Sequence, residues 1–312
     1  MNDWRDDLLL DLNGISAYGF EHIISKTEYV PHIDDSAITY PNLVEKTQRS
    51  KLLESTVLFV DLRGSTQISM QHDQQTLAAL YSAYVRAMTR CGEYFGGHIR
   101  NIIGDRVMVV FDRKGCFLNA VNTAILMNSV AKYVLNPLFS YIEVRCGIGI
   151  DFGEMLVSKT GIIKQGKENT SNKSLVWLGK PANIASKLTD RANKPPDAGG
   201  RAVSEGYYYP LTEQWAWTNV PAAEFIDNLH ISLGKIAHRK QYFHALVKEV
   251  APNLLPEKPP ILMTDAVLNG LKAEAPDEQS VVNDWWSETF VSVAGYEGKI
   301  FGADISYTIF QQ

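Results

Sequence analysis

Cysteine is scarce in this 312-residue chain: Cys91, Cys116 and Cys146 are widely spaced and form no Cys-x-x-Cys pair. An odd, scattered set excludes a disulfide framework or a cysteine zinc site and fits reduced, buried thiols. Long apolar runs are also missing, and none approaches the roughly 20 residues of a membrane span. The first seven residues are acidic, unlike a secretory signal. A cytoplasmic protein with no direct membrane insertion is expected. Positive charge is not in excess, with 30 Lys plus Arg against 35 Asp plus Glu and a net charge of −5, so no nucleic-acid surface is expected. Internal repeats and low-complexity tracts are absent. What remains is ordinary globular composition, 45% hydrophobic and 21% charged, enough for one large domain with appendages.

The informative stretch runs from Val57 to Asp112. It opens with Val57-Leu58-Phe59-Val60-Asp61-Leu62-Arg63-Gly64-Ser65-Thr66. An apolar β-type run ending in a carboxylate and a glycine reads as a buried strand that delivers Asp61 at its end. The stretch closes with two apolar runs around Gly104-Asp105, a hairpin with Asp105 at its tip, because Gly104 can take the positive φ of a tight turn. Either aspartate alone is an ordinary turn residue. Two of them at strand ends beside glycines, with no charge partner visible in the sequence except a metal, read as a site for a hard divalent cation and nucleotide phosphates.

Residues 1–50 form an N-terminal arm with a short helix at Leu8 to Leu12, and 51–250 the main domain. Residues 251–312 form a C-terminal extension that packs on the core or a partner, with Trp285, Trp286, Phe290, Val291 and Val293 as docking side chains. Ser65 or Thr66 can cap a helix. Leu77, Leu80, Tyr81, Tyr84, Met88 and Cys91 recur at helical spacing as core. A second helix runs from Leu118 to about Tyr133. A strand is expected over 142–150 with a turn at Gly153, then a flexible loop over 164–173. A third helix follows over 180–192, a break over 195–200, and a closing hairpin from Leu229 to Val247 around Gly234. The order strand, helix, hairpin, helix, strand predicts an α+β fold.

Three ordered pieces carry a family resemblance. Phe59-Val60-Asp61-Leu62-Arg63-Gly64-Ser65-Thr66 resembles the F-x-D-I-x-G-F-T metal motif of class III nucleotidyl cyclases. Ile103-Gly104-Asp105, followed by Val107 to Phe111, resembles their I-G-D-x-x-M-x-x-F hairpin. Leu178-Gly179-Lys180-Pro181-Ala182-Asn183-Ile184-Ala185-Ser186-Lys187-Leu188 resembles their G-x-x-V-N-x-A-S-R helix. The resemblance spans about residues 52–209. It implies a βαββαβ core, an antiparallel sheet with helices on one face, and a head-to-tail homodimer with shared active sites. It implies two divalent cations, Mn²⁺ or Mg²⁺, held by Asp61, Asp105 and the Leu62 carbonyl. It further implies a phosphate cradle from the amides of Gly64, Ser65 and Thr66, and a ribose-orienting Asn183.

The departures matter as much. Lys187 stands where the family has Arg and keeps the charge but not the bidentate fork. Lys235 matches a phosphate-binding lysine only weakly. At the base-reading positions this chain has Asn101 and Val176, neither the adenylate nor the guanylate pair, and Ser65 replaces the motif Phe. A site without purine-matching groups loses selectivity for ATP and GTP. The combination resembles the pyrimidine cyclases of bacterial Pycsar anti-phage defence. Asn101 can donate and accept, and so suits uracil or cytosine. Arg106 is a weaker base-pocket candidate that can equally balance charge. Arg100 would face away in a regular strand. The expected activity is conversion of UTP to cyclic UMP, whose product acts on a separate cyclic-nucleotide receptor effector. CTP is the alternative substrate, followed by an adenylate cyclase or a degenerate nucleotide-binding module.

Overall fold

The apolar run that ends at Asp61 is part of a long strand. After a helix α1 (Asn2–Ser16) and a strand β1 (Glu21–Thr27) comes β2 (Thr47–Leu62). Leu58, Val60 and Leu62 enter one core cluster, while Leu53 and Val57 enter another, as the strand period of two dictates. The computed structural model describes residues 1–311 except 161–162, 165–166, 169–173, 195–200, 240–242, 250–257 and 290. The break expected at 195–200, most of the loop expected over 164–173, and Phe290 therefore lie outside the described residues.

The helix expected after Gly64 is two helices, α2 (Ser65–Gln71) and α3 (Gln74–Tyr94). Gly64 is the N-cap of α2, so Ser65 and Thr66 already lie inside its first turn and neither caps it. Asp73 caps α3 by accepting from the amides of Gln75 at 2.9 Å and Thr76 at 3.0 Å. The buried stripe Leu80, Tyr84, Met88 and Cys91 follows at helical spacing. Next comes the hairpin of β3 (Gly97–Ile103) and β4 (Arg106–Phe111), turning at Gly104-Asp105 with Gly104 at φ 61°. Helix α4 (Cys116–Val130) continues through a π-helical turn (Ala131–Leu135) into the short α5 (Asn136–Leu138).

Strand β5 (Cys146–Thr160) starts later than expected and does not turn at Gly153. It pairs with β2 without a break from Lys51↔Val157 to Leu62↔Cys146, and that ladder carries the chain straight through the glycine. The short β6 (Ile163–Lys164) and β7 (Lys167–Glu168) pair, followed by β8 (Ser174–Leu178) and α6 (Lys180–Arg191). Then come β9 (Arg201–Tyr209), β10 (Gln214–Pro221), α7 (Ala222–Asp227), β11 (Leu229–Ser232), β12 (Lys235–His238) and β13 (Phe243–Glu249). Strands β10, β9 and β13 make a three-stranded sheet, and the hairpin around Gly234 is β11–β12 alone, shorter than expected because Phe243 onward pairs with β9 instead. The chain ends with β14 (Ile261–Thr264), α8 (Asp265–Glu274), α9 (Gln279–Val282), β15 (Ser287–Thr289) and β16 (Ile300–Ala303).

The central sheet runs β15-β16-β14-β5-β2-β4-β3, with β1 beside β2 and β8 beside β5. Within it, β2-α3-β3-β4-α4-β5 is the expected βαββαβ core in the order β5-β2-β4-β3, all pairs antiparallel. Helices α3 and α4 pack on the face of Leu58 and Val60. Helix α6 covers the opposite face, where Ala182 and Ala185 meet Leu53, Val57 and Met108. Strand β14 joins parallel to β5, and Trp286 is buried in the main cluster. Among the described residues, no helix is long and apolar enough to cross a membrane.

Candidate active site

Asp61 lies on the α6 side of β2, one residue before the strand ends and opposite Gly147 of β5. Asp105 occupies the turn between β3 and β4. The fold brings the two together: the Leu62 amide donates to Asp105 Oδ2 at 3.2 Å, which sets the Asp105 carboxyl close enough to Asp61 to feel its charge. Burial, and then the Asp61 charge, push the Asp105 carboxyl above its ordinary value. Beneath them the buried Tyr84 phenol is also pushed up, by burial first and then by its neighbours Cys146, Asp61 and Asp105. Among the described residues its hydroxyl has no hydrogen-bond partner.

This donor set fits a hard divalent cation. Two neighbouring carboxylates are oxygen ligands whose mutual repulsion a cation would relieve, and the Leu62 carbonyl is the third oxygen that could join them. Among the described residues no group of three or more His, Cys, Asp and Glu gathers to bind a metal. Two protein carboxylates leave the remaining positions to water and substrate oxygens, as Mg²⁺ and Mn²⁺ allow.

The expectation that these aspartates lack any charge partner is overturned. Asp61 Oδ2 accepts from Arg63 Nη2 at 3.1 Å and from Arg106 Nη2 at 3.0 Å. Arg63 is only 8% exposed. Its guanidinium lies over Gly147, where a Cβ would come within 2.7 Å of it, so the glycine makes the room. Arg106, weighed for the base pocket, is engaged beside Asp61: it also donates to Ser186 Oγ at 2.9 Å and to the Asp190 carboxylate of α6. Arg63 falls on an unspecified position of the first motif, so no local pattern singles it out. Ser186 and Asp190 are one turn apart on α6, a spacing that the sequence does contain.

The other expected residues are distributed as follows. Gly64, Ser65 and Thr66 occupy the N-cap and first two positions of α2, where amides have no intrahelical acceptor. Asn183 and Lys187 are exposed one turn apart on α6. Lys187 Nζ donates to the Ala294 carbonyl at 2.8 Å, beside a cleft of about 360 Å³ bordered by Asp190 and Ser292 to Ala294. Lys235 is exposed on β12, in a two-stranded sheet separate from the central one.

Asn101 is exposed on β3 and pairs with Met108, which puts it on the α6 side. Val176 pairs with Ser158, and its neighbour Trp177 with Val157. Trp177, not Val176, therefore packs on the α6 side, against the cluster of Met108 and Met155, and its buried Nε1 has no partner among the described residues. The strand carrying Asn101 is not regular, for the register shifts between Ile99 and Asn101. Arg100 is the extra residue of this bulge, so simple alternation does not decide where it points. It is half-buried, with Nη1 on the Ile99 carbonyl at 3.0 Å.

No family model matches the chain. Several curated proteins are similar to it, three of them as follows. The uridylate cyclase of Burkholderia cepacia is 28% identical over 201 residues, covering 63% of this chain and 80% of that protein. The uridylate cyclase of Gulbenkiania mobilis is 30% identical over 196 residues, 59% of this chain and 70% of that protein. The cytidylate cyclase of Staphylococcus aureus is 31% identical over 137 residues, 40% of this chain and 32% of that protein.

Proposed function

The chain belongs to the uridylate cyclase family, the pyrimidine branch of the class III nucleotidyl cyclases, and on that premise we propose that it converts UTP to 3′,5′-cyclic UMP and diphosphate. The observation that carries this reading is the approach of Asp61, at the end of β2, to Asp105, in the β3–β4 turn, which the Leu62 amide ties to β2, in a chain that matches uridylate cyclases over most of their length. The reaction is attack of the ribose 3′-hydroxyl on the α-phosphate, with diphosphate leaving. The protein must align the nucleophile and stabilise the spreading negative charge. Two divalent cations, Mg²⁺ or Mn²⁺, held by Asp61, Asp105 and the Leu62 carbonyl, would supply the lowered hydroxyl pKa and the neutralised phosphates.

The chain's own residues do the rest. The amides of Gly64, Ser65 and Thr66 face phosphate oxygens. Asn183 holds the ribose so that its 3′-oxygen is in line. Lys187 gives the α-phosphate a point charge once it exchanges its hydrogen bond to Ala294. Asn101 reads the pyrimidine edge. Sites are shared in a head-to-tail homodimer, with the aspartates from one protomer and Asn183 from its partner. The catalytic unit is residues 51–250, with 1–50 and 251–312 as arm and extension. The product serves as a cytoplasmic second messenger in anti-phage defence and acts on a separate receptor effector.

The test is incubation of the pure protein with each of the four NTPs and Mn²⁺, the products being separated chromatographically. Cyclic UMP as the main product is expected. Cyclic CMP as the main product would transfer the reading to CTP, which the likeness to a cytidylate cyclase supports. No cyclic product from either pyrimidine would overturn it.

A further inference from the structure

Arg106 serves two carboxylates with one guanidinium. Its Nη2 reaches Asp61 Oδ2 at 3.0 Å and also the Asp190 carboxylate, while Nη1 holds Ser186 Oγ at 2.9 Å. Its neighbour on Asp61, Arg63, is held in place by burial and by the close approach to Gly147. Arg106 is freer, with 25% of its side chain exposed, and Asp190 is 51% exposed. Helix α6 is not free to follow Arg106: a Cβ on Gly149 would lie 2.2 Å from the Ala185 carbonyl, so helix and sheet are in backbone contact.

The charges set up a competition. Two guanidiniums, those of Arg63 and Arg106, converge on the Asp61 carboxylate beside Asp105. A divalent cation arriving at Asp61 meets two guanidiniums on one carboxylate oxygen, and like charges a few ångströms apart repel strongly in a partly buried site. Arg106 has a second carboxylate in Asp190, whereas among the described residues Arg63 pairs only with Asp61. Resting on the metal-site reading above, we propose that Arg106 is a positioning residue divided between Asp61 and Asp190. It neutralises Asp61 before metal binds and shifts onto Asp190 when metal arrives, so that Asp190 sets the divalent-cation affinity of the site.

This makes the two partners of one ion pair act in opposite directions. Removing Arg106 removes the competitor, and metal should bind more tightly. Removing the Asp190 charge leaves Arg106 only Asp61, and metal should bind more weakly. A merely structural ion pair would move both variants the same way, through loss of stability.

The experiment is Mn²⁺ titration of the intact protein without nucleotide, read by the electron paramagnetic resonance signal of free Mn²⁺, with circular dichroism to confirm folding. Arg106→Gln should lower the Mn²⁺ Kd roughly 5- to 20-fold, the range expected for losing a charge-assisted hydrogen bond to a ligand carboxylate. Asp190→Asn should raise it roughly 3- to 10-fold on the same basis. The double variant should match Arg106→Gln, because without Arg106 nothing is left for Asp190 to hold. Arg106→Lys should restore much of the wild-type value. Asp105→Asn is the control and should abolish binding. If that control behaves and the Arg106 and Asp190 variants leave Kd within twofold, or move it in the same direction, the division of Arg106 is refuted while the metal site stands. If Asp105→Asn leaves Mn²⁺ binding intact, the metal site itself falls, and this proposal with it. Should Arg106→Gln fail to fold, Asp190→Asn decides alone, an unchanged or tighter Kd refuting the proposal.

Discussion

Replacing Asp151 with asparagine should make the protein more stable at neutral pH. Asp151 lies mid-strand on β5, opposite Val57, and is 3% exposed. Burial pushes its carboxyl from 3.8 up to about 6, although the Thr264 hydroxyl, donating to Oδ1 at 2.7 Å, pulls the other way. Below 3.8 the group is protonated in both folded and unfolded chains. Between 3.8 and 6 the unfolded chain gives up its proton while the folded chain keeps it, so stability falls as pH rises and levels off above 6. At about 1.4 kcal/mol per pH unit, the gap amounts to about 3 kcal/mol at pH 8 and about 1.6 kcal/mol at pH 5. Asparagine keeps an oxygen for Thr264 and cannot ionise. With an unfolding entropy of about 2.1 cal/mol/K per residue, 312 residues convert 3 kcal/mol into a rise in Tm of about 4–5 °C. Thermal melts of Asp151→Asn and wild type at pH 8 and pH 5 are the assay. The variant should melt higher at pH 8, with the difference roughly halved at pH 5. A variant that melts lower at pH 8, or a difference that does not narrow on acidification, would show that Asp151 carries no buried-charge cost.

Three further outcomes follow from the site. Asp105→Ala should abolish cyclisation with little change in Tm, whereas Asp61→Ala should abolish it and also cost about 3 kcal/mol or more, because the buried Arg63 loses its carboxylate; activity assays and melts of both variants check this. Mixing Asp61→Ala with Asn183→Ala should recover part of the activity, since one site of the heterodimer is intact; no recovery despite demonstrated subunit exchange would refute shared sites. Asn101→Ala should lower kcat/KM for the preferred pyrimidine triphosphate by about 5- to 150-fold more than for ATP. An equal fall for all four NTPs would take Asn101 out of base recognition.

What the sequence determined is local. Strand period, turn chemistry and helix spacing depend on neighbours a few residues away. That is why the strand ending at Asp61, the hairpin at Gly104-Asp105 and the helix from Lys180 were legible before any fold was known. Four-residue β14 was not. Ile261 to Thr264 is too short to show a period, and its place beside β5 depends on a partner more than a hundred residues away. The division of the β strands between two faces was only half legible. Alternation places Asp61 with α6, but the bulge at Arg100 breaks the count, and Val176 and Trp177 could be told apart only by the register of β8 on β5. Arg106 is the clearest case. Its neighbour in sequence is a metal-site candidate, yet its partners Asp61 and Asp190 lie 45 and 84 residues away. An ion pair has no sequence period, so its partners are set by which chain ends the sheet and α6 bring within reach, and only the tertiary structure decides that.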